Sequence, residues 1–126
     1  KRYPNLKFSF ECELSIDALR EILELSNNFN VTYDTGNITS YGIDHEEYIK
    51  TFYEKIVNVH LKDRTFDAKT VYPGTGDTNF KIIFDKLNSM GYNGPYTMQT
   101  ARGPEGQEIQ TALKHKKILE ELYGTK

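Results

Sequence analysis

Two periodicities take turns along the chain, and their order implies an architecture. In Leu6–Glu13 (LKFSFECE), Phe8, Phe10 and Cys12 fall on one face and Ser9, Glu11 and Glu13 on the other, as in a half-polar strand. Ser15 stands as an N-cap before Ile16, Leu19, Ile22 and Leu23, which recur at helical spacing. A short strand over Val31–Asp34 (VTYD) breaks at Gly36. Asp44 with Glu47 resembles a capping pair opening a second helix, whose buried stripe is expected at Ile49, Phe52, Tyr53 and Ile56. Val57–Asp63 (VNVHLKD) reads as a strand in which Val57, Val59 and Leu61 alternate with Asn58, His60 and Lys62. A loop with Pro73, Gly74 and Gly76 leads to a third helix buried through Phe80, Ile83, Phe84 and Leu87. Gly91–Pro95 punctuates before a strand at Tyr96–Thr100 (YTMQT), and a last helix follows from Gln107 to Tyr123. The order βαβαβαβα calls for an α/β fold of parallel strands joined by right-handed crossovers.

Parallel strands covered on both faces usually read as continuous apolar runs, and these do not. If each apolar face packs on the helices, the polar faces share one side of the sheet. Glu11, Asp34, His60 and Gln99 then sit near successive carboxyl ends of strands, where α/β folds place their chemistry. Two carboxylates, an imidazole and an amide at one edge form a donor set for a divalent cation. Each residue also has a plainer reading. A strand histidine can be a hydrogen-bonded rim residue, Glu11 or Glu13 can favour a helix start, and Asp34 can form an Asx turn. Gly74 and Gly76 can be turn formers, and Arg64 and Arg102 solvated charges. Pattern alone leaves both sets open.

Composition narrows the classes. At 126 residues the chain has the length of one domain with a core. Lys+Arg number 16 against 18 Asp+Glu, a net charge of −2, so no broad basic footprint points to nucleic acid or an anionic membrane. No apolar run is long enough to span a bilayer. The single cysteine, Cys12, cannot form an internal disulfide, which suits a cytoplasmic setting. The chain starts at Lys1 and is expected to be cut from something longer.

Several motifs then point to one family. Tyr33-Asp34-Thr35-Gly36-Asn37, Val59-His60-Leu61-Lys62-Asp63-Arg64, Pro73-Gly74-Thr75-Gly76-Asp77, and Tyr92-Asn93-Gly94-Pro95-Tyr96 with Gln99-Thr100-Ala101-Arg102 resemble the xylose isomerase-like TIM-barrel superfamily. More narrowly they resemble its sugar-phosphate isomerase/epimerase branch. The resemblance implies that the whole chain, 1–126, is the C-terminal half of a barrel, strands five to eight with their following helices, since a complete barrel has about 250 residues. It implies a metal-dependent isomerase or epimerase of a sugar or sugar phosphate, with Glu11, Asp34, His60 and Gln99 around a divalent manganese, magnesium, cobalt or zinc ion. Glu11 would move the proton through a metal-stabilised enediolate, and Lys62 would stabilise the oxyanion. Arg64, Arg102 and the amides near Gly74 and Gly76 would meet a phosphate or sugar hydroxyls.

Gln99 departs from the glutamate usual at the eighth strand. An amide oxygen can bind a metal but cannot act as a general base, so a two-carboxylate epimerisation loses its second base. Two other classes stand beside the isomerase. One is a non-catalytic half-barrel or interaction module. The other is an apurinic endonuclease-like phosphodiesterase, disfavoured because the remaining histidines, His45 and His115, fall in helices. The partner expected for a half-barrel is the N-terminal half or a second copy of the chain, and Tyr33 and Met98 are expected to be covered by helices.

Overall fold

The computed structural model describes residues 3–124; Lys1, on which the expectation of a longer parent rests, lies outside them. Strand β1 is confined to Phe8–Phe10, the only part of the first alternating segment that finds a partner strand. Ser15 caps α1 (Ile16–Glu24) by accepting from the Ala18 amide at 3.2 Å, and α1 turns Leu19 and Leu23 into the core. β2 (Phe29–Asp34) runs straight into α2 (Thr35–Ser40), a short helix that the sequence pattern did not reveal. Asp44 caps α3 (His45–Phe52) through the Glu47 amide at 2.7 Å.

Tyr48, Ile49 and Phe52 are the buried residues of α3, and the chain leaves it through a 3-10 turn at Tyr53–Lys55. The last two members of the expected stripe, Tyr53 and Ile56, therefore fall outside the helix. Tyr53 is half-buried in the turn, and Ile56 opens β3 (Ile56–Leu61) instead of closing the helix. β3 ends at Leu61, and Asp63, expected as the last residue of that strand, instead belongs to β4 (Asp63–Arg64), which pairs antiparallel with β5 (Thr70–Val71). α4 (Phe80–Ser89) buries Phe80, Ile83, Phe84 and Leu87, as the spacing implies. β6 (Tyr96–Met98) and α5 (Glu108–Gly124) complete the described chain.

The main sheet has the order β1-β2-β3-β6, and every neighbouring pair is parallel. Register places Asp34 opposite His60, and His60 opposite Thr97, so β2, β3 and β6 present their carboxyl ends at one edge. Val31, Tyr33, Val59 and Leu61 meet Leu19, Ile49, Phe52, Ile83 and Leu87 from the helices in one core. Burial of this apolar face is the main term holding helices to sheet.

The outer strands are less well covered. Tyr33 is fully buried, but Met98 is 40% exposed, against expectation. The reason is that β6 is an edge strand, and α5 stands off it across a pocket of about 780 Å³ bordered by Met98, Leu119 and Tyr123. On the opposite edge Phe8 is half-exposed, held by an edge-to-face contact with Phe29. Among the described residues no helix is long and apolar enough to cross a membrane.

Candidate metal centre

Three of the four residues singled out by strand phase meet at the carboxyl edge. Glu11 follows β1, Asp34 ends β2, and His60 lies in β3. One ligand atom from each lies within 4.8 Å of the other two. His60 Nδ1 is 2.9 Å from Glu11 Oε2, and Asp34 Oδ2 is 2.9 Å from Lys62 Nζ. Neither approach is aligned as a hydrogen bond. Among the described residues, Asp34 Oδ2 and His60 Nδ1 are therefore buried polar atoms with no hydrogen-bond partner. The Lys62 ammonium sets its charge against Asp34 Oδ2, and a bound cation would meet the lone pairs that these contacts leave without a hydrogen bond. Two carboxylates and an imidazole nitrogen suit a divalent cation, so the residues present fit one.

The carboxylate of Asp34 has two tasks. Oδ1 accepts from the Asn37 amide at 2.8 Å and starts α2, which fixes the side chain and leaves Oδ2 turned to the cluster. The Asx-type turn expected at Asp34 is thus a helix cap.

Lys62 is the buried cation of the site. Thr35 Oγ1 holds its backbone from both sides, accepting from the Lys62 amide at 3.0 Å and donating to its carbonyl at 2.6 Å. Its ammonium donates to Asn37 Oδ1 at 3.3 Å and lies 4.0 Å from Glu11 Oε1. The stem of Lys62 crosses α2 at Gly36, where an added Cβ would fall 2.8 Å from Lys62 Cγ and 3.1 Å from Arg64 Cγ. Gly36 is there for close approach, not only to break a strand. Asn37 also reaches Glu11, its Nδ2 donating to Oε1 at 3.5 Å. Thr35, Gly36 and Asn37 stand in the motif after Asp34, but their roles depend on α2 and so escaped the sequence reading.

The remaining candidates divide. Gln99 shares the edge, one residue beyond the Leu61–Met98 pair, and its amide extends the ladder by donating to Leu61 at 3.1 Å. Arg64 Nη1 donates to Glu13 Oε1 at 3.0 Å and to Ser40 Oγ at 3.3 Å. Arg102 is exposed, beside the start of α5.

Gly74 and Gly76 require a correction. Their amides do not face an outside anion: both donate to Asp63 Oδ2, at 2.8 and 2.9 Å, while the Thr78 amide donates to Oδ1 at 3.2 Å. Asp63 is fully buried. Its carboxylate sits where a bound phosphate would need to be, and a charge-assisted cluster of this kind is strong.

The other two histidines stay outside the cluster. His45 lies between the Tyr33 hydroxyl, 2.5 Å from Nδ1, and Thr39 Oγ1, 2.9 Å from Nε2. Burial lowers its pKa to about 4, against a smaller opposing pull from Asp44, so it is neutral. Burial likewise pushes the Tyr33 hydroxyl well up. His115 is buried on α5 with Nδ1 2.9 Å from Thr100 Oγ1. The several histidines that a zinc phosphodiesterase would gather are not brought together among the described residues.

Comparison with known proteins identifies the family and the fold. The family model for xylose isomerase-like TIM barrels matches residues 5–119. Inosose dehydratase of Geobacillus thermodenitrificans is 26% identical over 128 residues, covering 86% of this chain and 43% of the relative. A D-tagatose 3-epimerase-like protein superposes with a TM-score of 0.66 at 25% identity, covering 83% of this chain and 40% of that one. The IolI protein, crystallised with a bound zinc atom, superposes with a TM-score of 0.67 at 20% identity, over 93% of this chain and 45% of its own. The chain thus spans less than half the length of these relatives.

Proposed function

This chain belongs to the xylose isomerase-like TIM-barrel family, and on that premise we propose that it supplies strands five to eight of a barrel enzyme that moves a proton beside the carbonyl of a sugar. Two of the relatives described above, the inosose dehydratase and the D-tagatose 3-epimerase-like protein, carry the names of carbohydrate-modifying enzymes. The observation that carries the reading is the convergence of Glu11, Asp34 and His60 with two of their buried ligand atoms lacking a hydrogen bond. Asp34, His60, Glu11 and the amide oxygen of Gln99 would hold a divalent cation, which when bound polarises a carbonyl oxygen.

The chain's own residues account for the rest. Glu11 takes the proton from the carbon next to the carbonyl, leaving an enediolate. The Lys62 ammonium, held by Asn37 while Thr35 fixes the Lys62 backbone, would offset the charge growing on oxygen. Return of the proton by Glu11 to the neighbouring carbon, with the hydroxyl proton passing from one enediolate oxygen to the other, interconverts an aldose and a ketose. Departure of hydroxide from the next carbon, taking the proton from Glu11 to leave as water, instead gives dehydration, the reaction in the name of the Geobacillus relative. Both outcomes need one base. With Gln99 in place of a second carboxylate, they are favoured over two-base epimerisation. The outer edges of β1 and β6, unpaired among the described residues, are where a further half-barrel, or a second copy, would complete the pocket.

The test uses the whole protein. Manganese titration calorimetry should show at least a tenfold loss of affinity in Asp34→Asn, a smaller loss in Glu11→Gln, and no solvent deuterium exchange at the substrate carbon in Glu11→Gln. Wild-type exchange by Glu11→Gln would remove the base from this scheme. Unchanged metal affinity in Asp34→Asn would remove the metal centre.

A further inference from the structure

We infer that the pocket between the segment after β6 and the first turns of α5 receives an uncharged, hydroxyl-bearing part of the substrate and not a phosphate. The inference rests on the reading of the catalytic edge given above and adds the class of substrate. The pocket has a volume of about 290 Å³ and is bordered by Thr100, Arg102, Glu108, Thr111 and His115. It lies at the same strand ends as Gln99.

His115 is fully buried, and its Nε2 has no hydrogen-bond partner among the described residues. Burial, with help from the neighbouring Lys114 charge, lowers the basicity of the ring, so near neutral pH it carries one donor and one acceptor nitrogen. Nδ1 is engaged with Thr100 Oγ1, and which role falls to Nε2 depends on the tautomer. A sugar hydroxyl suits either tautomer, because it both donates and accepts. A phosphate dianion can only accept. The Thr100 and Thr111 hydroxyls have the same two-way character. Gly103 presses against Thr111, where any Cβ would collide with Oγ1, so the backbone forms a tight wall around that hydroxyl.

Charge at this edge points the same way. Arg102 is the feature most inviting to a phosphate, but Glu108 borders the same pocket. Its own amide and that of Gly106 hold the Glu108 carboxyl below its usual range, so it is ionised. The other donors that could grip a phosphate already serve carboxylates of the chain: Gly74, Gly76 and Thr78 bind Asp63, and Arg64 binds Glu13. A phosphate arriving here meets Arg102 with the Glu108 carboxylate bordering the same pocket, and the amides of Gly74 and Gly76 are already taken by Asp63.

The experiment is calorimetric titration of the whole, manganese-loaded protein with a free ketohexose, with the same sugar as its terminal phosphate ester, and with inorganic phosphate. The free sugar should bind at least as tightly as the ester, and inorganic phosphate should not compete with it. Thr111→Val should weaken the free sugar by about three- to tenfold, the loss of one neutral hydrogen bond, with manganese affinity unchanged. Glu108→Gln should raise affinity for the ester at least threefold by removing the opposing charge. Tenfold preference for the ester in the wild type, or indifference to both substitutions, would overturn the inference. Failure of either sugar to bind while manganese binds would overturn it too and leave the metal centre standing.

Discussion

Asp63→Asn is the sharpest test of how the loops at the catalytic edge are held. The carboxylate is fully buried and accepts three backbone amides, two on Oδ2 from Gly74 and Gly76 and one on Oδ1 from Thr78. An asparagine keeps one acceptor oxygen. Turned to serve Gly74 and Gly76, it points its NH2 at the Thr78 amide, so one bond is lost and two donors confront each other. A hydrogen bond to a charged group is worth about 1.5–3 kcal/mol, and a buried unsatisfied donor costs about 1–3 kcal/mol. These overlap, so the expected loss is about 2–4 kcal/mol, or roughly 6–15 °C in Tm for a domain of this size. Urea denaturation of wild type and variant, followed by circular dichroism, measures it. Gly76→Ala should be destabilising as well, because its Cβ would strike Asp63 Oδ1 and lie 2.9 Å from the Arg64 carbonyl. A loss below about 1 kcal/mol in Asp63→Asn would mean that the loop holds its shape without the carboxylate, and that its amides are available to a ligand after all.

Two further outcomes follow from the site and its surroundings. Gly36→Ala gains about 1 kcal/mol of helix propensity in α2 but forces the Lys62 stem aside at an overpacking cost of about 1–3 kcal/mol, so stability should change little or fall slightly while turnover of a confirmed substrate drops; unaltered turnover would show that Lys62 does not act from this position. His45 gives the pH dependence. Its folded pKa, about 4, lies below the usual 6.5, so its contribution is complete above 6.5 and is lost as pH falls toward 4, at most about 3 kcal/mol. Stability against pH should flatten over that window in His45→Gln, and an unchanged slope would assign the acid sensitivity elsewhere.

Local chemistry made much of this protein legible before its structure. Ser15 and Asp44 cap their own helices, and Phe80, Ile83, Phe84 and Leu87 share one face of α4, because both effects act within a turn or two of chain. The period of two likewise put Glu11, Asp34 and His60 in a common phase, and parallel pairing carried that phase to one edge. What escaped depends on partners far along the chain. Asp34-Thr35-Gly36-Asn37 looks like a turn, and its helix makes sense only once Lys62 lies across Gly36 and is clamped by Thr35, 27 residues away. The glycines at 74 and 76 look like an anion cradle until Asp63, 11 and 13 residues earlier, is seen to fill it. Ile56 continues a helical spacing, yet the gain from pairing with β2 makes it the start of β3. Met98 has the phase of a core residue but sits on an edge strand that α5 leaves partly open. Periodicity and capping are local and were determined by the sequence alone. Which buried polar atoms find partners, and which are left for a ligand, was decided only when distant segments met.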